Sequence, residues 1–165
     1  MITLRNYTKD DAERLVLLAN NKNVSRYLTP RFPYPYTLND AYEWIEKGAY
    51  TKGTTSKVIE FNSQFVGGIG LIQQEDWRSH IAEIGYWIGE PFWGKGIATE
   101  AVKQMTALGF GEFGYRKIIA LVLAPNLPSV RVLEKCGYTL EAKLKDEVCK
   151  NGQYFDVLRY AKYSL

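Results

Sequence analysis

Residues 81 to 123 constrain the fold more than any other stretch. Ile81 to Gly89 alternates, with Glu83, Gly85 and Trp87 on one face and Ile84, Tyr86 and Ile88 on the other, which is the period of a strand. Pro91 to Gly96 makes a tight connection. Ile97, Ala101, Val102, Met105 and Leu108 then recur at helical spacing, and Gly109, Gly111 and Gly114 end that helix. Lys117 to Leu123 is a continuous apolar run, as expected of a central strand buried on both faces. A strand, a helical crossover and a second, apolar strand imply an α/β sheet.

The flanking segments extend that sheet. Ile2, Leu4 and Asn6-Tyr7 read as a first strand. Thr8 with Asp10 and Asp11 caps a helix whose apolar stripe is Leu15, Leu18 and Ala19, and Asn20-Asn21-Lys22-Asn23 closes it. Between Tyr27 and Thr37 lie Pro30, Pro33 and Pro35, which forbid helix, and four aromatic residues, more than a plain solvent loop needs. Thr37 and Asp40 open a helix through Trp44 and Ile45 to Lys47. Lys57–Phe61 and Phe65–Ile72 flank a hairpin turn at Asn62-Ser63-Gln64, and Gly67, Gly68 and Gly70 point to a bulge in the second strand. Residues 73–79 read as a polar loop. Pro128 to Lys135 is a short helix stopped by Gly137. Leu140–Lys150 and Gln153–Lys162 are strands joined by Asn151-Gly152, a strong hairpin signal. The expected order is β-α-α-β-β-β-α-β-α-β-β, a mixed α/β fold with a partly antiparallel sheet.

The 165 residues suit one domain. Twenty-one basic and 18 acidic residues leave +3, which gives no case for bulk nucleic-acid binding. The N-terminal residues Met1-Ile2-Thr3-Leu4-Arg5 have no apolar stretch of signal length, and the longest apolar run, Ile118 to Ala124, is far short of the roughly 20 residues of a membrane span. Cys136 and Cys149 lack metal-ligand or CxxC spacing, so they read as free thiols of a cytoplasmic protein. No His, Cys or carboxylate cluster has metal spacing.

The turn Phe92-Trp93-Gly94-Lys95-Gly96-Ile97 carries the clearest chemical signal. Glycines there would let backbone approach a ligand, and the helix start beyond them offers free N–H groups to a phosphate or pyrophosphate. On local pattern alone it is equally a plain helix-opening turn. Walker A is excluded because GxxxxGK is absent, and GxGxxG is only half met by Gly94, Gly96 and Thr99. With one histidine and no GxSxG, a serine hydrolase lacks its parts.

Glu83-Ile84-Gly85-Tyr86-Trp87-Ile88 through Phe92–Ala101 resembles motif A of the GNAT acetyltransferases. Asn126-Leu127-Pro128-Ser129-Val130-Arg131-Val132-Leu133-Glu134-Lys135-Cys136-Gly137-Tyr138 resembles their motif B, in the form of the RimJ/RimL branch of ribosomal-protein N-terminal acetyltransferases and their relatives. Phe32–Thr37 and the Asn151-Gly152 hairpin are also similar to that branch, so the resemblance spans essentially residues 1–165 as a single GNAT domain. Two positions depart. Trp93 stands where Gln or Arg is usual, and Leu133 stands where many relatives carry a Tyr that protonates the leaving thiolate.

The resemblance implies a mostly antiparallel sheet of about seven strands flanked by about four helices. It implies transfer of an acetyl group from acetyl-CoA to a primary amine, either a protein N-terminus or a small amine, with a non-catalytic acyl-CoA-binding module as the alternative. The coenzyme would lie on Trp93, Gly94, Lys95, Gly96, Ile97, Ala98 and Thr99, and along Trp87, Ile88 and Gly89. A backbone N–H near Ile88 is the candidate for the oxyanion. Glu83 is the candidate base, against a structural carboxylate. Ser129 is the candidate partner of the thiolate and coenzyme, against a helix-start residue. Asn126 would orient pantetheine or acceptor, against an Asx turn. Tyr34, Tyr36, Glu83 and Tyr154 are candidates for the acceptor cleft, with Asp156 beside Tyr154. His80 reads as a solvated loop residue. No metal, nucleic acid or membrane is expected, and the sequence fits a monomer and a homodimer equally.

Overall fold

The computed structural model describes residues 1–165. One seven-stranded sheet runs in the order β1-β2-β3-β4-β5-β7-β6. The strands are β1 (Ile2–Arg5), β2 (Thr54–Phe61), β3 (Gln64–Gln73), β4 (Ile81–Ile88), β5 (Lys117–Leu123), β6 (Thr139–Lys150) and β7 (Gln153–Tyr163). Only β4 and β5 are parallel; every other neighbouring pair is antiparallel. The helices are α1 (Ala12–Ala19), α2 (Lys22–Ser25), α3 (Leu38–Glu46), α4 (Ile97–Gly111) and α5 (Leu127–Lys135). The mixed α/β class and the mostly antiparallel seven-stranded sheet are as expected, with one more helix. That helix, α2, is a single turn. Asn21, read as a closing residue of α1, instead caps it by accepting from the Asn23 and Val24 N–H groups.

Two apolar layers sandwich the sheet. On one face, Ala101, Val102 and Met105 of α4 and Leu133 of α5 are fully buried against Ile69, Leu71, Ala82, Ile84, Ile118 and Ala120. Burial of each large side chain here is worth about 1.5–3 kcal/mol. On the other face, Leu15 and Leu18 of α1 and Ala41 and Ile45 of α3 meet Tyr7, Val58 and Phe65. The caps hold as read: the Asp40 carboxylate accepts the Thr37 N–H at 2.7 Å, and Asp11 accepts the Thr8 N–H at 2.8 Å.

Two local features shape the site. In β3, Ile59 of β2 faces Gly67 while Glu60 faces Phe65, so Val66 is an extra residue and the expected bulge is present. β4 and β5 pair only over Ile81–Glu83 and Lys117–Ile119, after which they splay apart. The expectation that β5 is buried on both faces therefore needs correction. Ile118, Ala120 and Val122 pack under α4, but Leu121, on the opposite face beyond the splay, is exposed.

Candidate active site

The splay leaves an edge of β4 without a partner strand. Gly89 N–H donates to the Val66 carbonyl at 2.8 Å, and Gln74 N–H donates to the Ile81 carbonyl at 2.9 Å. Strand alternation between those ends turns Trp87 and Gly85 toward β3, and turns the N–H groups of Tyr86 and Ile88 into the opening. Of the three positions expected to meet the coenzyme, Trp87, Ile88 and Gly89, only Ile88 presents its N–H there. Gly89 is needed for packing: a Cβ there would sit 2.9 Å from Leu18.

The Gly-rich turn continues this edge. Gly94 and Gly96 hold φ of +72° and +75°, a region that other residues enter at a cost. None of the backbone N–H groups of Gly94, Lys95, Gly96, Ile97, Ala98 and Thr99 donates within the chain; the first N–H of the helix to do so is that of Glu100, to Gly96. Six unspent donors at the start of a 15-residue helix form a strong anion cradle. Trp93 differs from expectation. Its own N–H is spent on Glu90, and its indole Nε1 donates to the Ile88 carbonyl at 2.7 Å, closing the open edge of β4. The Lys95 ammonium lies 5.4 Å from the centre of the Phe92 ring.

Across the sheet lies a cleft of about 290 Å³. Its floor is glycine: Gly68, Gly70 and Gly85 lie side by side, with Gly70 opposite Gly85 in register. Its walls are aromatic. Phe32 stands 5.2 Å from Tyr36 and 5.3 Å from Trp87 between ring centres, and Tyr7 and Trp44 complete the wall. The proline-rich segment is thus a cleft wall, held from behind by Lys150, whose ammonium binds the carbonyls of Ser25 and Leu28, the latter at 2.7 Å. Glu83 and Arg31 are the charged lining residues. Burial raises the Glu83 carboxyl above the usual carboxylate range, against the pull of Arg31, Arg159 and Arg78.

Ser129 and Tyr86 meet between the splayed strands and α5, hydroxyl to hydroxyl at 2.8 Å. Burial pushes the Tyr86 phenol up to about 12, so it stays protonated. Tyr86 was not singled out in the sequence, because strand alternation puts it on the face away from Glu83. Only the splay, invisible in a single strand's pattern, gives it access to the cleft. Arg31 was likewise missed, since nothing local marks it. Leu133 is wholly buried in the core and offers no polar group. Asn126 begins α5 without a hydrogen bond from its side chain, so no Asx turn occupies it.

The remaining candidates lie apart. Tyr36 lines the cleft, whereas Tyr34 and Tyr154 are exposed and outside its lining. Asp156 accepts the Asp146 N–H at 2.9 Å and steadies the β6–β7 irregularity. His80 is exposed.

A splayed parallel pair, an anion cradle at the next helix and a carboxylate-bearing cleft beside them define an acyl-CoA-dependent transferase. A family model described as an acetyltransferase (GNAT) domain matches residues 1–139, and the chain belongs to that family. It is 29% identical to an uncharacterised N-acetyltransferase, p20, of Bacillus licheniformis, over 97% of this chain and 91% of that one. It is 28% identical to a putative ribosomal N-acetyltransferase, YdaF, of Bacillus subtilis, over 97% and 90%. The spermidine N-acetyltransferase of Vibrio cholerae, solved with CoA and spermine, superposes with a TM-score of 0.84 at 27% identity, covering 98% of this chain and 95% of that one. The chain is an acetyl-CoA-dependent N-acetyltransferase similar to the RimJ/RimL branch, and no observation favours a non-catalytic acyl-CoA module. No helix is long and apolar enough to cross a membrane.

Proposed function

We propose that the chain acetylates a primary amine, on a small molecule or a polypeptide N-terminus, by direct attack on acetyl-CoA in a ternary complex. The observation that carries this reading is two sets of unspent N–H groups, Tyr86 and Ile88 on the open edge of β4 and Gly94 to Thr99 at the start of α4, together with a cleft lined by one half-buried carboxylate, Glu83.

The pyrophosphate sits on the Gly94–Thr99 cradle. The pantetheine arm enters between β4 and β5, beside the free side chain of Asn126. Glu83 takes a proton from the bound ammonium, directly or through one water, and frees the nitrogen lone pair. The C–N bond forms, and the carbonyl electrons move to oxygen, which accepts a hydrogen bond from the Ile88 N–H. Such a donor is worth roughly 3–4 kcal/mol. When the C–S bond breaks, its electron pair goes to sulfur, and the surplus proton on the newly acylated nitrogen passes to that sulfur by way of a water or the Ser129 hydroxyl. Ser129 donates a hydrogen bond to the thiolate as it forms. Tyr86, protonated at every working pH, donates to Ser129 Oγ and so leaves the serine hydrogen free to face sulfur. This arrangement fills the place left by Leu133. Two free cysteines fit a reducing, cytoplasmic setting.

The test is a pair of variants, Glu83→Gln and Ser129→Ala, assayed for CoA release and for acetyl-CoA affinity. Loss of turnover with retained affinity supports the roles given. Retained turnover in Glu83→Gln removes Glu83 as the base.

A further inference from the structure

The charges around the cleft say what kind of amine it accepts. Glu83 and Arg31 both line the cavity, and neither forms an ion pair within the chain. Two further guanidiniums, Arg159 and Arg78, act on the Glu83 charge, and no second carboxylate does. Arg159 is partly balanced by Glu141 at 3.0 Å, whereas Arg31 and Arg78 have no acidic partner. One half-buried carboxylate thus shares the lining with an unpaired guanidinium, that of Arg31. A polyamine brings several ammonium groups and needs several carboxylates, and here its second charge finds no further carboxylate in the lining and would meet Arg31. The spermine-bound relative shares the fold, but the lining of this cleft carries one carboxylate only.

The walls set the rest of the acceptor. Phe32, Tyr36, Trp44 and Trp87 offer ring faces and edges to an apolar body. The volume of about 290 Å³ lies at the small end of ligand pockets. We propose that the acceptor is a monoamine bearing an anionic group next to an apolar body of about amino-acid size, with Glu83 receiving the amine and Arg31 the anion. This rests on the acetyl-transfer reading above and narrows its acceptor. A free apolar amino acid and the first residues of a polypeptide with an acidic group close to the N-terminus share that chemistry.

The experiment is an acceptor panel with acetyl-CoA, read as CoA release and confirmed by product mass. The panel holds L-phenylalanine, phenethylamine, spermidine, and two peptides that begin with Phe and differ only in Asp or Lys at the second position. Phenylalanine is expected to exceed phenethylamine, or the Asp peptide the Lys peptide, by about 10–100-fold in kcat/KM, the value of a hydrogen bond to a charged group. Whichever pair responds identifies the source as free amino acid or polypeptide. Arg31→Gln should bring the responding ratio close to unity, a change that a merely structural arginine would not produce. Equal or better use of spermidine or phenethylamine overturns the inference. So does the absence of acetylation for the whole panel in protein that binds acetyl-CoA, an outcome that leaves the coenzyme reading standing. Absence of acetyl-CoA binding removes both.

Discussion

The glycine floor allows fold and function to be separated with one methyl group. A Cβ built on Gly85 meets nothing within 4 Å, and the strand backbone there is not left-handed. Gly85→Ala should therefore fold without strain. Restricting the unfolded chain stabilises such a change by about 0.4–1 kcal/mol, which raises the Tm of a chain this size by about 1–4 °C. The same methyl projects into the cleft on the face of Glu83 and Trp87. Overfilling a fitted space costs about 1–3 kcal/mol, so kcat/KM for the acceptor should fall about 5–150-fold. Gly67→Ala is the contrast. Its Cβ would overlap the Trp87 carbonyl oxygen and approach the Ile88 Cα to 3.0 Å, and neither backbone group can yield without breaking the β3–β4 ladder. A loss of about 3 kcal/mol should lower Tm by about 6–12 °C. Thermal denaturation and the CoA-release assay, run on the same preparations, read both effects. Full activity in Gly85→Ala, or destabilisation equal to that of Gly67→Ala, would refute the placement of substrate on this floor.

Glu83 must be ionised to act as a base, and burial raises its pKa, so activity should climb with pH at a point above the ordinary carboxylate range. Arg31→Gln removes an opposing positive charge and should move that limb to higher pH, while Glu83→Gln should abolish it and lower turnover by about 10²–10⁴-fold. If Tyr86 works through Ser129, Tyr86→Phe should cost about 2–12-fold in kcat, and nothing further in a Ser129→Ala background. Additive losses would mean that Tyr86 is packing alone. Trp93→Phe leaves the Ile88 carbonyl without its donor and should weaken acetyl-CoA about tenfold by calorimetry, with the Tm little changed. Lys150→Met frees the loop behind the cleft wall and should raise the acceptor KM more than it lowers kcat.

Periodicity and caps made most of the fold legible. The alternation of Ile81–Ile88, the stripe of α4, the Thr37–Asp40 cap and the Asn151-Gly152 turn all lie where local chemistry requires, with Asn151 and Gly152 both at positive φ. The short α2 was obscured because its cap, Asn21, also looks like a helix terminator. The cradle was legible as well, since Gly94 and Gly96, flanking Lys95 just before a helix, leave N–H groups unspent. What no local signal carried is the divergence of β4 from β5, because strand separation depends on partners nearly forty residues apart in sequence. Two site features that depend on that opening escaped, the Tyr86–Ser129 contact and the Trp93 indole on the Ile88 carbonyl, whereas the Ile88 N–H was reached only through the family resemblance. Arg31 escaped for a related reason. A lone arginine among prolines acquires meaning only when the segment folds across Glu83.

Calorimetric titration of the folded protein with acetyl-CoA, with ATP and NAD as controls, tests the central claim most directly. One-to-one binding of acetyl-CoA, and no comparable binding of ATP or NAD, is the predicted result. Absence of heat with acetyl-CoA while the fold is intact would contradict the assignment of the Gly94–Thr99 cradle and the splayed β4–β5 edge as the coenzyme site.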